Sequence, residues 1–133
     1  MTGLVLKLTP RERILVNGAV LENGDRRSKL SILTPNANIL RLKDAIRPDE
    51  AKTPVRRVCY IAQLVLSGDV EDVAAKKQLT TGIEQLSQVF SDPDSQSHLT
   101  EATTALNSQD FYKVLKNLRA LLAREDRLMA NVK

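Results

Sequence analysis

The sequence predicts an α+β fold, in which a small N-terminal antiparallel β-sheet of four or five short strands packs on a C-terminal bundle of about four helices. Apolar and polar residues alternate up to about residue 40, which is the period of a strand, and recur at helical spacing from residue 53 onward. With 133 residues, 42% hydrophobic and 27% charged, the chain has the balance of a globular protein. We expect a β-rich basic region over 1–50 and a helical region over 51–133, folded as one compact unit.

Four strands, and a less regular fifth, are predicted in the first region. They are carried by Leu4 to Leu8, Ile14 to Val16, Ala19 to Glu22, Leu30 to Ile32 and Ile39 to Leu40. Asn17-Gly18 is a strong hairpin signal, because a type I′ turn requires positive φ at both central positions. Asn23-Gly24 repeats that signal six residues later. Two such turns predict a meander, whose strands pair antiparallel.

Four helices are predicted after residue 53. They run from Thr53-Pro54 to Ser67-Gly68, from a cap at Asp69 to Phe90, around Leu99 to Leu106, and from Asp110 to about Asn131. A threonine cap before proline is a usual start signal, and a glycine after the last turn is a usual end signal. Thr81-Gly82-Ile83-Glu84 fits a capping box, which predicts that the second helix breaks near Gly82.

The positive charge is concentrated in the N-terminal part. Residues 1–57 hold 12 Lys+Arg and 6 Asp+Glu, and residues 58–133 hold 8 and 10, so the charges of +6 and −2 sum to the formal +4. A basic half beside a mildly acidic half is the electrostatic pattern of a polyanion-binding protein. The alternative is that exposed arginines only keep a small sheet soluble.

The candidate polyanion contacts are the basic residues of this part and one nearby tyrosine. They are Arg11, Arg13, Arg26, Arg27, Arg41, Lys43, Arg56, Arg57 and Tyr60. Arg56 and Arg57 lie in the first turn of a predicted helix, where exposed N–H groups already favour an anion. The alternative for these two is an ion pair with Asp44, Asp49 or Glu50. Tyr60 lies on the same helix, where it either stacks on a base or covers the sheet edge.

Signs of catalysis, metal binding or membrane insertion are absent from the sequence. No nucleophile elbow, phosphate-binding loop or dinucleotide fingerprint is present, and one histidine, His98, lacks an evident nucleophile partner. The lone cysteine, Cys59, lies on an apolar helix stripe and is predicted to be a buried, inert thiol. We therefore expect a non-enzymatic protein with no cofactor and no metal. No signal peptide or membrane-length apolar run is visible, which favours the cytoplasm.

Several blocks of the chain resemble the flagellum biosynthesis repressor family, FlbT. The blocks are Glu12 to Val20 with Asn23, Ala37 with Ile39-Leu40-Arg41 and Lys43-Asp44, Thr53 to Arg57 with Tyr60 and Gln63, and Phe111 to Leu115 with Leu118-Arg119 and Glu125. They follow one another in register over nearly the whole chain. Leu42 and Cys59 depart from the family pattern, and residues 69–100 match it little.

The resemblance implies a post-transcriptional regulator of flagellin synthesis. Members of the family are expected to bind the 5′ untranslated leader of flagellin mRNA and to promote its decay, without catalysis of their own. Some relatives activate instead, so the direction of regulation does not carry over. The implied partner is the flagellin mRNA leader, and the implied contacts are those inferred above from charge.

A second hypothesis is a protein–protein adaptor. Low aromatic content (3%) and a modest net charge fit a chain that docks flagellin or a flagellin chaperone through its helices and affects the transcript indirectly. Open sheet edges also favour self-association into a homo-oligomer.

Overall fold

The structure is a computed structural model that describes residues 4–130, with all strands before the α-helices. The strands are β1 (Leu4–Leu8), β2 (Arg13–Val16), β3 (Ala19–Glu22), β4 (Ser28–Ile32) and β5 (Ile39–Arg41). Two short 3₁₀ turns, Leu42–Asp44 and Pro48–Glu50, lead into the helices. The helices are α1 (Pro54–Leu66), α2 (Asp72–Val89), α3 (Pro93–Asn107), α4 (Phe111–Arg119) and α5 (Leu122–Ala130). The predicted α+β class is confirmed.

The strands form two small sheets, where the sequence predicted one. β1 pairs with β4 as a two-stranded antiparallel ribbon, and β2 lies between β3 and β5 in a three-stranded sheet. The β2–β3 hairpin turns at Asn17 and Gly18, whose φ angles of 48° and 88° are those that a type I′ turn requires. The hairpin prediction at this turn is therefore confirmed.

The predicted meander is wrong at Asn23-Gly24, because β3 and β4 do not pair. The Asn23 amide donates to the carbonyl oxygens of Thr9 and Arg26 at 2.7 and 2.8 Å, and its oxygen accepts from the Ser28 hydroxyl at 2.8 Å. The Asn23 side chain therefore connects the loop after β1 to the β3–β4 loop. After this loop the chain does not return along β3, and β4 pairs with β1 instead.

At β2 and β5 the central sheet is covered on both faces, which makes three layers there, while β3 is exposed along its whole length. On one face, Ile14 of β2 and Ile39 of β5 pack with Leu6 and Leu8 of β1 in a small core. On the other face, Leu40 joins the large helical core. Alternation along the strands produces this division, since successive side chains point to opposite faces. The ribbon is therefore the outer layer, with one face buried and one exposed.

Helix boundaries follow the sequence closely at α1. Thr53 caps it, and Gly68, with a φ of 83°, ends it in a Schellman motif with hydrogen bonds from Gly68 N to Val65 O and from Asp69 N to Leu64 O. The cap of α2 is Glu71, so the prediction of Asp69 is wrong. Asp69 instead accepts from the Ser67 hydroxyl at 2.7 Å.

The predicted break at Gly82 is also wrong, since α2 is continuous through it. A Cβ at Gly82 would lie 2.8 Å from Cγ2 of Val58, so the glycine allows α1 and α2 to pack closely. The last predicted helix is divided at residues 120 and 121 into α4 and α5, and its predicted end at Asn131 lies outside the described residues. None of the helices within 4–130 has the length and apolar character that crossing a membrane requires.

Candidate nucleic-acid interface

The exposed face of the β1–β4 ribbon places two lysines directly opposite each other. Lys7 of β1 is the cross-strand partner of Lys29 of β4, and both side chains are exposed. Leu6 and Leu8 point inward, so the strand alternation requires Lys7 to point outward. Like charges directly opposite on a strand pair are unfavourable. This pair therefore carries a local electrostatic cost that a bound anion would relieve.

A cleft of about 570 Å³ lies at this end of the ribbon. We call it the basic cleft, and its lining residues are Lys7, Leu8, Thr9, Arg27, Ser28 and Lys29. Three of the six are cations, two carry hydroxyls and none carries a carboxylate. Ammonium and guanidinium groups are donors that typically contact phosphate oxygens, whereas the Ser28 and Thr9 hydroxyls already donate to Asn23 and Glu12. The composition of the basic cleft therefore suits a phosphodiester backbone.

The exposed arginines of the strand region differ in how they are paired. Arg26 and Arg27 lie in the exposed β3–β4 loop, and the ion pairs within residues 4–130 include neither. Arg11 and Arg13 are about two-thirds exposed but contact acidic side chains, Glu22 for both and Asp25 for Arg11 at 2.5 Å. Exposed pairs of this kind are weak, so they leave these arginines able to exchange partners.

Arg41 is held inside the strand layers by Glu12. Its Nε and one terminal nitrogen donate to the Glu12 carboxylate at 2.6 and 2.8 Å, and that terminal nitrogen also donates to the Lys7 carbonyl at 2.6 Å. The Glu12 side chain is only 3% exposed. Hydrogen bonds from Arg41 are the main cause that lowers the pKa of Glu12 from 4.5 to about 2. Lys43, half exposed, lies 3.9 Å from the same carboxylate.

The N-terminus of α1 is occupied by a carboxylate of the chain itself. Glu125 of α5, 4% exposed at its side chain, accepts from the Val55 backbone nitrogen at 2.8 Å and from the Thr53 hydroxyl. One Arg56 nitrogen lies 3.3 Å from Glu125 and 3.0 Å from Asp126. The anion that this helix end was predicted to favour is thus Glu125.

Arg56 therefore forms ion pairs, as the alternative predicted, but its partners are Glu125 and Asp126 and not Asp44, Asp49 or Glu50. Hydrogen bonding to Asp126 is the main cause that raises the pKa of Arg56. Arg57 is exposed and donates to the Lys52 carbonyl at 3.2 Å, and Tyr60 is half-buried on α1.

The candidate residues fall into two groups that the structure does not bring together. Within residues 4–130, no hydrogen bond or ion pair joins the strand group to the α1 group of Arg56, Arg57 and Tyr60. The basic cleft also contains no aromatic side chain. Its lining therefore favours contacts to phosphates over stacking on bases.

Sequence reasoning missed four residues that define this arrangement. Lys7 and Lys29 could be placed on exposed strand faces by alternation, but their juxtaposition depends on β1 pairing with β4. Glu12 and Glu125 lie 29 and 69 residues from the arginines they contact. No local spacing indicates pairs so far apart in the chain.

The two side chains considered for catalysis have structural partners. His98 Nδ1 lies 3.1 Å from the Asn117 side-chain oxygen, which joins α3 to α4. Cys59 is fully buried in the helical core, and burial raises the pKa of its thiol to about 12. The prediction of a buried thiol is confirmed, and at this pKa the nucleophilic thiolate is scarce at neutral pH.

Comparison with known proteins identifies one family over nearly the whole chain. The family described as "Flagellar protein FlbT" matches residues 4–129. A probable flagellum biosynthesis repressor protein FlbT of a Caulobacter species is 31% identical over 97% of this chain and 98% of its own length. The similarly named protein of Rhodopseudomonas palustris is 30% identical over 96% and 98%. A probable FlbT 1 of Bradyrhizobium diazoefficiens is 34% identical over 95% and 84%. No solved structure matches the chain.

Proposed function

The chain belongs to the FlbT family, and from that premise we propose that it is a post-transcriptional repressor of flagellin synthesis. It binds the 5′ untranslated leader of flagellin mRNA through the basic cleft and promotes degradation of the transcript. Relatives named as flagellum biosynthesis repressors support a regulatory role in flagellar synthesis. The family is a regulatory one and not a known enzyme family, so the proposed action is by binding alone.

The observation that carries the proposal is the Lys7–Lys29 pair beside Arg27. Three cations line one open cleft that has no carboxylate in its lining, and the two lysines oppose each other across a strand pair. A phosphate between them would replace a repulsive contact with two attractive ones. Phosphate contacts supply affinity and position a nucleic acid on a protein.

The other predicted contacts divide by their surroundings. Arg26 precedes the lining residue Arg27 in the sequence, and Arg26, Arg11 and Arg13 are all exposed. We propose that these three arginines and Lys43 extend the RNA contact. Arg41 and Arg56 do not contact the RNA in this proposal, because each is paired with a buried carboxylate. Arg57 and Tyr60 belong to a separate surface of α1.

The proposed mechanism requires no catalytic residue. A protein seated on the leader excludes the ribosome from the same stretch of RNA, and an untranslated transcript is open to nucleases. Blocked translation and accelerated decay are then two consequences of one binding event. Sequence preference in such a complex comes from unpaired or structured segments of the leader, which is where proteins usually read RNA.

The experiment that tests the proposal is a binding titration with matched RNAs and matched variants. The purified protein is titrated with a flagellin leader and with a scrambled RNA of equal length, across a salt series. The wild type should prefer the leader, and its affinity should fall as salt rises, with a slope that estimates the number of phosphate contacts. The test variant is Lys7→Ala/Lys29→Ala, and the control is Lys113→Ala/Lys116→Ala on α4.

The test variant should bind the leader more weakly and show a salt slope smaller by roughly 1 to 2, since each lost phosphate contact reduces the slope by about 0.7 to 0.9. The control should match the wild type. Equal losses in both variants would reject the basic cleft as the site. Binding that does not distinguish leader from scrambled RNA would reject direct recognition of the transcript.

A measurement in cells tests whether the protein promotes decay of the flagellin transcript. Flagellin transcript half-life is followed after transcription is stopped, in cells that carry either the wild-type protein or the Lys7→Ala/Lys29→Ala variant at equal abundance. The variant should lengthen the half-life of the transcript. An unchanged half-life, with binding lost in vitro, would separate RNA binding from decay and overturn the proposed mechanism.

A further inference from the structure

An apolar groove of about 600 Å³ lies between α1 and α2, on a surface that the proposed RNA contact does not use. We call it the α1–α2 groove. Its floor is formed by Val58, Gly82, Leu86 and Phe90, all of which are buried. Because Gly82 has no side chain, Val58 packs directly against α2 at this point and closes the floor of the groove.

The groove is long and open on one side. Its α2 lining runs from Lys77 to Val89, which corresponds to about 18 Å at 1.5 Å per residue. That length is about three turns of a helix. Val89, which lines the groove, is 67% exposed, although an apolar side chain of this size is usually buried. An elongated apolar trough of this kind is the form that accepts the apolar stripe of an amphipathic helix.

The rim of the groove indicates the charge of its occupant. Arg57 and Lys77 line it, together with the neutral polar residues Gln78, Thr81 and Gln85, and no lining residue is acidic. Within residues 4–130, neither Arg57 nor Lys77 forms an ion pair. Charge complementarity therefore favours carboxylates on the partner.

From these observations we infer that the α1–α2 groove is a docking site for an acidic amphipathic helix of a partner protein. Apolar side chains of that helix, spaced at i, i+3 or i+4, and i+7, lie on Pro54, Ile61 and Val89, the apolar lining residues that are not buried. Carboxylates beside its apolar stripe contact Arg57 and Lys77. This inference is independent of the proposed RNA contact, since the basic cleft and the groove share no lining residue.

The test uses two synthetic helical peptides of about 14 residues, a length that covers the groove. Both carry the same leucine stripe, and the residues flanking the stripe are glutamates in one peptide and lysines in the other. Binding to the full chain is measured by fluorescence anisotropy. We expect the glutamate-flanked peptide to bind at least about ten-fold more tightly than the lysine-flanked one, which corresponds to about 1.4 kcal/mol.

Two variants assign the binding to the groove. Val89→Glu introduces a negative charge at an exposed lining position, and Val73→Glu introduces the same change elsewhere on α2 at a residue that is 78% exposed and outside the lining. The first should weaken binding of the glutamate-flanked peptide at least about ten-fold, while the second should match the wild type. Thermal unfolding should be alike in the two variants, because both sites are exposed.

A charge reversal completes the test. Arg57→Glu/Lys77→Glu should reverse the preference between the two peptides and leave leader RNA binding unchanged. Equal affinity of the wild type for both peptides, or undiminished binding to Val89→Glu, would overturn the inference. A loss of RNA binding in the same variant would show instead that the rim belongs to the nucleic-acid contact.

Discussion

Glu125 accepts a hydrogen bond from the backbone nitrogen of Val55 at 2.8 Å, so a carboxylate near the end of the chain caps the first long helix. The Thr53 hydroxyl and Arg56 contact the same carboxylate. The positive end of a helix dipole and a guanidinium together stabilise a buried negative charge. The free N–H groups and the arginine at the α1 N-terminus, which suggested a ligand site, thus have Glu125 as their partner within the chain.

Replacing Glu125 should destabilise the protein strongly. Glu125→Ala leaves the Val55 N–H and Arg56 without their buried partner, and loss of one member of a buried pair costs about 3 kcal/mol. Urea unfolding measures the free energy. The matched control is Asp126→Ala, whose carboxylate is 58% exposed and should cost less than about 1 kcal/mol. Similar losses in the two variants would contradict the capping role.

The Glu12–Arg41 pair should make stability depend on pH in the acid range. Hydrogen bonds from Arg41 lower the pKa of Glu12 from 4.5 to about 2 in the folded protein. A carboxylate with a lowered pKa contributes its full stabilisation above the unfolded value near 4.5 and loses it as pH falls toward 2. The stability difference between wild type and Glu12→Gln should therefore be largest at pH 6 and shrink between pH 4.5 and pH 2.

Urea titrations of the wild type and Glu12→Gln at pH 6, 4 and 3 measure this difference in stability. The contributions of the other carboxylates cancel in it, because both proteins contain them. At pH 6 the variant should be less stable by about 3 kcal/mol, because Arg41 is left without its buried partner. A difference that stays constant over the series would mean that Glu12 does not carry the acid dependence.

The Lys7–Lys29 pair should lower the stability of the protein and strengthen its binding to RNA. Lys29→Gln removes the cross-strand repulsion and should raise the free energy of unfolding by about 0.3 kcal/mol at low salt. The same change should weaken binding to the flagellin leader, since one phosphate contact is lost. Thermal melts and RNA titrations on one preparation measure both, and Lys113→Gln is the control. If Lys29→Gln is no more stable than the wild type and binds the leader equally well, the basic cleft is not the RNA site.

Gly82 and Val58 should be energetically coupled. Ala in place of a helical Gly usually adds about 1 kcal/mol of stability, but here the new Cβ would lie 2.8 Å from Cγ2 of Val58. We expect Gly82→Ala to cost about 1 to 2 kcal/mol, as overpacking does. In a Val58→Ala background, the same change should instead stabilise. A double-mutant cycle measures the coupling, and an additive result would contradict the close approach.

Local signals in the sequence predicted the elements well and their long-range partners poorly. Asn17-Gly18 and Thr53-Pro54 act within a few residues, and the hairpin and the start of α1 lie where those signals place them. Asn23-Gly24 carries the same local signal as Asn17-Gly18, yet the Asn23 side chain bonds to Thr9 and Ser28 and the chain passes on to β1. Tertiary hydrogen bonds outweigh turn propensity at that position.

The candidate site shows the same division. An excess of basic residues before residue 58 is visible in the sequence, but whether an arginine is available depends on distant acidic side chains. Arg41 and Arg56 differ from Arg26 and Arg27 because Glu12 and Glu125 reach them through the fold. The opposition of Lys7 and Lys29 likewise depends on a strand pairing that no nearby turn specifies.

The pairing of β1 with β4 has a consequence for the protein while it is being synthesised. Translation proceeds from the N-terminus, so β1 emerges from the ribosome before its only strand neighbour within residues 4–130 does. Until Ser28 to Ile32 emerge, the nascent chain presents an unpaired strand edge with Leu6 and Leu8 uncovered, which is a site for association with other chains. The lysine at position 7 gives that early segment a charge that disfavours such association.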